Sequence, residues 1–144
     1  MAFANPSDRE IAALLASSRV FVVVGASAKA DRPAYGVMER LIARGYQVVP
    51  VNPGLAGKSI LGQQVYATLA DVPAPVDVVD VFRTPEAALG VVDEAIAESE
   101  RFGLKAIWMQ IGVINEVAAE RAVSAGLMVV MDRCPKIELN RLGL

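Results

Sequence analysis

The sequence predicts an α/β fold: one domain built on a doubly wound, parallel, five-stranded sheet with helices on both faces. Three observations carry this. Five short β-branched apolar runs recur along the chain, and segments with helical period separate them. The chain of 144 residues, 54% hydrophobic and 21% charged, is long and apolar enough for one core of its own.

Each element has a local signal. Ser7-Asp8-Arg9-Glu10 is a capping box that opens a leading helix with Ile11, Leu14 and Leu15 on its apolar face. Residues 1–18 are therefore expected to pack on the rest of a domain spanning 1–144. The first strand is "VFVVV" (20–24), continuous rather than alternating, as suits a strand covered on both faces. Ala34, Val37, Met38, Leu41 and Ile42 then form one helical stripe that starts near Pro33 and stops at Gly45. After the second strand, "YQVVPV" (46–51), the stretch 53–75 is irregular and is expected to be loop, with a short helix near Thr68–Val72.

The third strand is "VDVVDVF" (76–82). Asp77 and Asp80, three apart, point to opposite faces and read as charges protecting an edge strand. Thr84-Pro85-Glu86 supplies an N-cap, a proline at the first helical position and an acid at the positive helix end. That helix carries Leu89, Val92 and Ile96 and runs to about Phe102, with Gly103 as its stop. The fourth strand is "LKAIWMQ" (104–110), in which Trp108 is assigned to packing. Asn115 caps a helix with Ala118, Ala119, Ala122 and Val123 on its stripe, closed by Gly126. The fifth strand is "LMVVM" (127–131), followed by a loop at 132–136.

Composition removes whole classes of function. With 14 basic and 16 acidic residues the net charge is −2, which provides no general field for nucleic acid or acidic membranes. No apolar run reaches the roughly 20 residues that span a bilayer, and "MAFANPSDRE" does not read as a secretory leader. A single cysteine, Cys134, excludes an internal disulfide and points to a reducing cytoplasm. There is no histidine, so histidine-dependent nucleophilic catalysis, histidine metal ligation and phosphohistidine chemistry are closed to this chain.

Ligands of such sheets bind outside the carboxyl ends of the strands, where strand order reverses. The loop after the first strand begins Gly25-Ala26-Ser27, a turn whose amides can face phosphate oxygens, with Lys29 and Arg32 as mobile cations. It is equally readable as an ordinary βα turn. A dinucleotide fingerprint from Gly25 would require glycine at 27 and 30, where the chain has Ser27 and Ala30. The acid that holds a free ribose diol is also missing; Val51, Asn52 and Pro53 stand there instead. Lys58 is the nearby candidate for an extra phosphate, against its reading as a solvated loop lysine. Phe82 and Arg83 end the third strand, where a ring can cover a base and a cation can face the crevice. Gln110 and Gly112 end the fourth, offering an amide and a close approach. Cys134 reads as a buried structural thiol, on the same edge as the ligand and therefore within range of mixed-disulfide exchange with a ligand thiol. No catalytic constellation and no metal site is visible.

Five blocks, "VVVGASAKADRPAYGVM", "GYQVVPVNPGLAGKSILGQQVYATLADVP", "VDVVDVFRTPEAA", "IWMQIGVIN" and "VVMDRCPKIE", together resemble the small bacterial CoA-binding proteins. These are single Rossmann-like domains similar to the N-terminal domain of the succinyl-CoA synthetase α subunit, and the resemblance covers residues 8–144. It implies that Gly25, Ala26 and Ser27 cradle the CoA pyrophosphate with Arg32 near the phosphates. It further implies that Val51, Asn52, Pro53, Phe82, Arg83 and Thr84 border the adenosine, and that Gln110 and Gly112 lie toward the pantetheine. The synthetase has a CoA-contacting lysine where this chain has Leu55, so Lys58 becomes the substitute. The synthetase's phosphorylated histidine and second domain are absent.

The expected function is binding of coenzyme A or an acyl-CoA without turnover. Two alternatives stand beside it. One is an enzyme using an NADP-type nucleotide, since NADP sites also lack the ribose acid; Tyr35, Tyr46 and Tyr66 are its only visible proton donors. The other is a CoA-sensing subunit detached from a larger acyl-CoA synthetase-like complex, acting through a homo-oligomer or protein partner.

Overall fold

The computed structural model describes residues 3–144. Its strands run in chain order as β1 (Val20–Val24), β2 (Gln47–Val51), β3 (Ser59–Ile60), β4 (Gln63–Gln64), β5 (Val78–Val81), β6 (Ala106–Met109) and β7 (Met128–Met131). The short β3 and β4 pair only with each other. The remaining five form the expected sheet, all pairings parallel, in the order β2-β1-β5-β6-β7. The order reverses between β1 and β5, which places the topological switch at their carboxyl ends. This is a Rossmann-like architecture in a single domain.

Helices α1 (Asp8–Ser17), α2 (Pro33–Arg44) and α5 (Pro135–Arg141) cover one face; α3 (Pro85–Phe102) and α4 (Glu116–Ser124) cover the other. Alternation along each strand supplies both cores. Phe21, Val23, Val78, Trp108 and Val130 meet Leu15, Met38, Leu41 and Leu139 on the first face. Val22, Val79, Val81, Ile107 and Val129 meet Val92, Ala95, Phe102 and Ala119 on the second. The capping box at Ser7 forms, with the Ser7 hydroxyl accepting from the Glu10 N–H. Through Ile11, Leu14 and Leu15, all buried, α1 packs on the domain as expected.

Four expectations need correction. β5 lies in the middle of the sheet, so Asp77 and Asp80 do not protect an edge. Asp77 instead accepts the N–H groups of Arg19 and Val20 at 2.8 and 2.9 Å, fastening the start of β1 to the start of β5. Asp80 is fully buried between Val23 and Trp108, and neither carboxylate oxygen has a partner. Local charge alone does not tell a central strand from an edge strand; the parallel neighbours decide it.

The segment after Cys134, expected as loop, is a helix begun by Pro135. The irregular stretch 53–75 contains the small antiparallel β3-β4 hairpin besides two 3₁₀ turns, at Pro53–Leu55 and Leu69–Asp71. Val123 is half exposed rather than buried, because α4 contacts the sheet only through Ala118, Ala119 and Ala122.

Candidate functional site

Three adjoining hollows line the carboxyl edge of the sheet. The first, about 570 Å³, lies between the 25–34 loop and the turn after β2, with Ser27, Ala28, Lys29, Arg32 and Leu55 in its wall. A second, about 410 Å³, sits over the ends of β1, β2 and β5 and is bordered by Val51, Asn52, Pro53 and Arg83. The third, about 490 Å³, opens over β5 and β6 toward α5, with Arg83, Gln110, Val113, Cys134 and Ile137 around it. Phe82 lines all three and Pro33 joins the first to the third.

The floor depends on one glycine. Gly25 has φ +90°, and a Cβ there would collide with the carbonyl oxygen of Phe82 and touch the Arg83 Cδ at 3.2 Å. The absence of a side chain lets the β1 and β5 ends close up at the switch point. Gly25 is thus a packing residue as much as a ligand-facing one.

The amides of this loop are not all available. Gly25 and Ala26 both donate to the Val51 carbonyl, at 3.0 and 3.3 Å. That corrects the expectation that they cradle an anion through their N–H groups. Among the described residues, the N–H groups of Ser27, Ala28 and Ala34 make no hydrogen bond, and all three residues line the first hollow. Anion binding therefore shifts toward the tip of the loop and the first turn of α2, whose N-cap, Arg32, provides no side-chain cap. Ser27 also accepts the Lys29 N–H at 3.1 Å, which folds the loop back on itself.

Asn52 borders the first two hollows, but its side chain is already engaged. Its Oδ1 accepts from the Gly54 N–H and its Nδ2 donates to the Ala26 carbonyl, both at 2.8 Å. It ties the turn after β2 to the loop after β1, a role the turn signal Asn-Pro-Gly did not reveal.

Ten of the thirteen sequence-predicted site residues line the hollows: Gly25, Ala26, Ser27, Arg32, Val51, Asn52, Pro53, Phe82, Arg83 and Gln110. Three do not. Thr84 caps α3, accepting the Ala87 N–H at 3.2 Å. Gly112 donates its N–H to the Asp132 carboxylate at 2.8 Å, pinning the loop after β6 to the loop after β7. Lys58 closes a backbone turn onto Leu55 and precedes β3. Sequence reading passed over Ala28, Leu55, Ile111, Val113 and Ile137 as lining residues. Small or aliphatic side chains in loops carry no chemical signature; the 25–34 loop facing the turn after β2 makes a wall of Ala28 and Leu55, and α5 closing over the edge makes one of Ile111, Val113 and Ile137.

The electrostatics are one-sided. No carboxylate lines any of the three hollows, whereas Lys29, Arg32 and Arg83 do, and none of these cations makes an ion pair among the described residues. Two arginines at α5 are committed elsewhere: Arg133 and Arg141 hold the buried Glu138 at 3.0 and 2.9 Å, and Arg141 also grips Asp8. One row below the edge, burial pushes the Asp80 carboxyl well above the ordinary aspartate range, which favours its neutral form in this apolar site. Gln110 is 6% exposed, and its Oε1 has no hydrogen-bond partner.

The chain is 34% identical to the uncharacterized protein YneT of Bacillus subtilis over 133 residues, 92% of this chain and 94% of that one. The structure of cell-free ID.343 from Thermus thermophilus superposes with a TM-score of 0.88 at 35% identity, covering 95% of this chain and 99% of that one. A dinucleotide-forming acetyl-coenzyme A synthetase from Ca. Korarchaeum cryptofilum, solved with phosphate and ADP, is similar at a TM-score of 0.63 and 27% identity. There the match covers 78% of this chain but only 25% of the synthetase. The model of the CoA binding domain family matches residues 19–140, from the start of β1 to the end of α5, and the chain belongs to that family.

Proposed function

We propose that the protein binds coenzyme A or an acyl-CoA along the carboxyl edge of its sheet and does not turn it over, acting in the cytoplasm. One observation carries the reading. A cluster of unpartnered N–H groups and uncommitted cations lies at the switch point, with no acid among the lining residues, and adjoins a largely apolar hollow. A ligand with a pyrophosphate at one end and an amide-bearing arm at the other has this polarity.

Ser27, Ala28 and Ala34 supply main-chain donors to the pyrophosphate, and α2 adds its positive end. Arg32 and Lys29 screen the remaining charge. Phe82, shared by every hollow, lies where an aromatic face can meet the adenine or the arm. Arg83 stands over Gly25 at the centre. No acid follows β2, so a phosphate on the ribose is not repelled there. The chain has no histidine, and no acid reaches the hollows to move a proton at a bound thioester.

Isothermal titration with CoA, 3′-dephospho-CoA, NAD and NADP tests this. CoA should bind tightest, and removing the 3′-phosphate should weaken binding about tenfold, the worth of one charge-assisted contact at about 1.4 kcal/mol. Equal or tighter binding of NAD or NADP overturns the reading.

A further inference from the structure

Resting on the CoA reading above, we propose that the third hollow selects thioesters of short, uncharged, apolar acyl groups. It would prefer them both to the free thiol and to acyl groups that end in a carboxylate.

The hollow is continuous with the phosphate end, because it shares Pro33 with the first hollow and Phe82 and Arg83 with the second. A ligand anchored at Ser27 and Ala28 and extending past Phe82 enters it. Among its lining residues, the one buried side-chain atom without a hydrogen-bond partner is the Gln110 Oε1, on a residue only 6% exposed. A buried amide without a partner is costly, and a ligand amide passing over it removes that cost. Gln110 thus receives the amide-bearing arm, and the acyl group at the far end of that arm meets the rim.

The rim is apolar. Ile111 is 56% exposed and Ile137 is 50% exposed, and the two border the same hollow from the loop after β6 and from α5. Val113 and Cys134 lie deeper, both buried. Water against two isoleucines is released when a methyl or methylene group covers them. A thiol hydrogen is too small to do so.

Charge excludes the other class. Among the described residues, Arg83 is the only cation lining the hollow, and it borders the second hollow as well, with its Cδ beside Gly25. Once phosphates hold it, a terminal carboxylate among Val113, Ile111 and Ile137 has no counter-ion, and burying it there is unfavourable.

Titration of the full chain with CoA, butyryl-CoA and succinyl-CoA, with thioester integrity checked by mass spectrometry, decides the matter. Butyryl-CoA should bind about fivefold tighter than CoA, and succinyl-CoA no tighter than CoA. In the double variant Ile111→Ser, Ile137→Ser, both at exposed positions, the ratio of butyryl-CoA to CoA affinity should fall to about one. Equal affinity for all three ligands, with CoA still bound, overturns the acyl preference and leaves the CoA reading standing. The same holds if the double variant keeps the butyryl advantage but shifts from dimer to monomer in sedimentation, which would make the rim a protein interface. If none of the three ligands binds, the CoA reading fails together with this one.

Discussion

Asp80 is the clearest case of a residue whose position changes its meaning. In the sequence it is one of two acids in a β-branched run; in the fold it is enclosed between Val23 and Trp108 with both oxygens unpartnered. Burial raises its pKa in the folded state well above the ordinary 3.8, while the unfolded chain keeps the ordinary value. Between those two values the folded state holds a proton that the unfolded state has lost. Stability therefore declines as pH rises through that window, by about 1.4 kcal/mol per pH unit, and levels off above the folded pKa. Asp80→Asn keeps the shape and removes the ionisation. Its urea midpoint should lack this decline and lie above that of the unaltered chain at neutral pH. Identical pH profiles for the two chains would show that Asp80 is not titrating in the fold. Gly25 is the opposite case: its importance was visible in sequence as a turn glycine, but the collision it avoids is with Phe82, 57 positions away in the chain.

Single elements were legible where the signal is local. The capping box before α1, Pro33 and Gly45 bounding α2, Thr84 and Gly103 bounding α3, and Asn115 before α4 each act within one helical turn, and each stands where expected. The α5 helix was missed because its seven residues offer one proline and no cap side chain; its stability comes from Leu139 in the core and Glu138 between two arginines. Connections between elements were equally hidden. Asn52 joins the turn after β2 to the loop after β1 through two hydrogen bonds. Asn52→Ala should cost about 1–3 kcal/mol of stability and weaken CoA binding, although it removes no charge. Amide exchange should quicken in residues 25–32 and at Gly54 while the strands stay protected. Unchanged exchange in that loop would show that the asparagine does not hold it.

On the scale of the whole molecule, charge is distributed rather than abundant. The chain carries a net −2, yet the hollows at its carboxyl edge are lined by Lys29, Arg32 and Arg83 and, among the described residues, by no acid. Attraction for a polyanionic ligand therefore comes from an exposed local field that salt screens. Raising salt from about 0.05 to about 0.5 M, a change that shortens the screening length to a few ångströms, should weaken CoA binding severalfold. It should leave the butyryl increment nearly unchanged, since apolar contact is not screened. An acyl increment that falls in parallel with CoA affinity would argue against an apolar origin. The sequence by itself determined the alternation of strands and helices, the helix caps, the absence of histidine chemistry and the loops at the carboxyl edge, because all of these follow from period, composition and contacts within a few residues. Only the tertiary structure decided that β5 is central, that the Gly25 and Ala26 amides are committed to Val51, that α5 and two isoleucines wall a third hollow, and that Lys58, Thr84 and Gly112 stand outside the lining. Those outcomes depend on which strands become neighbours, and pairing between distant segments leaves no local trace in the chain.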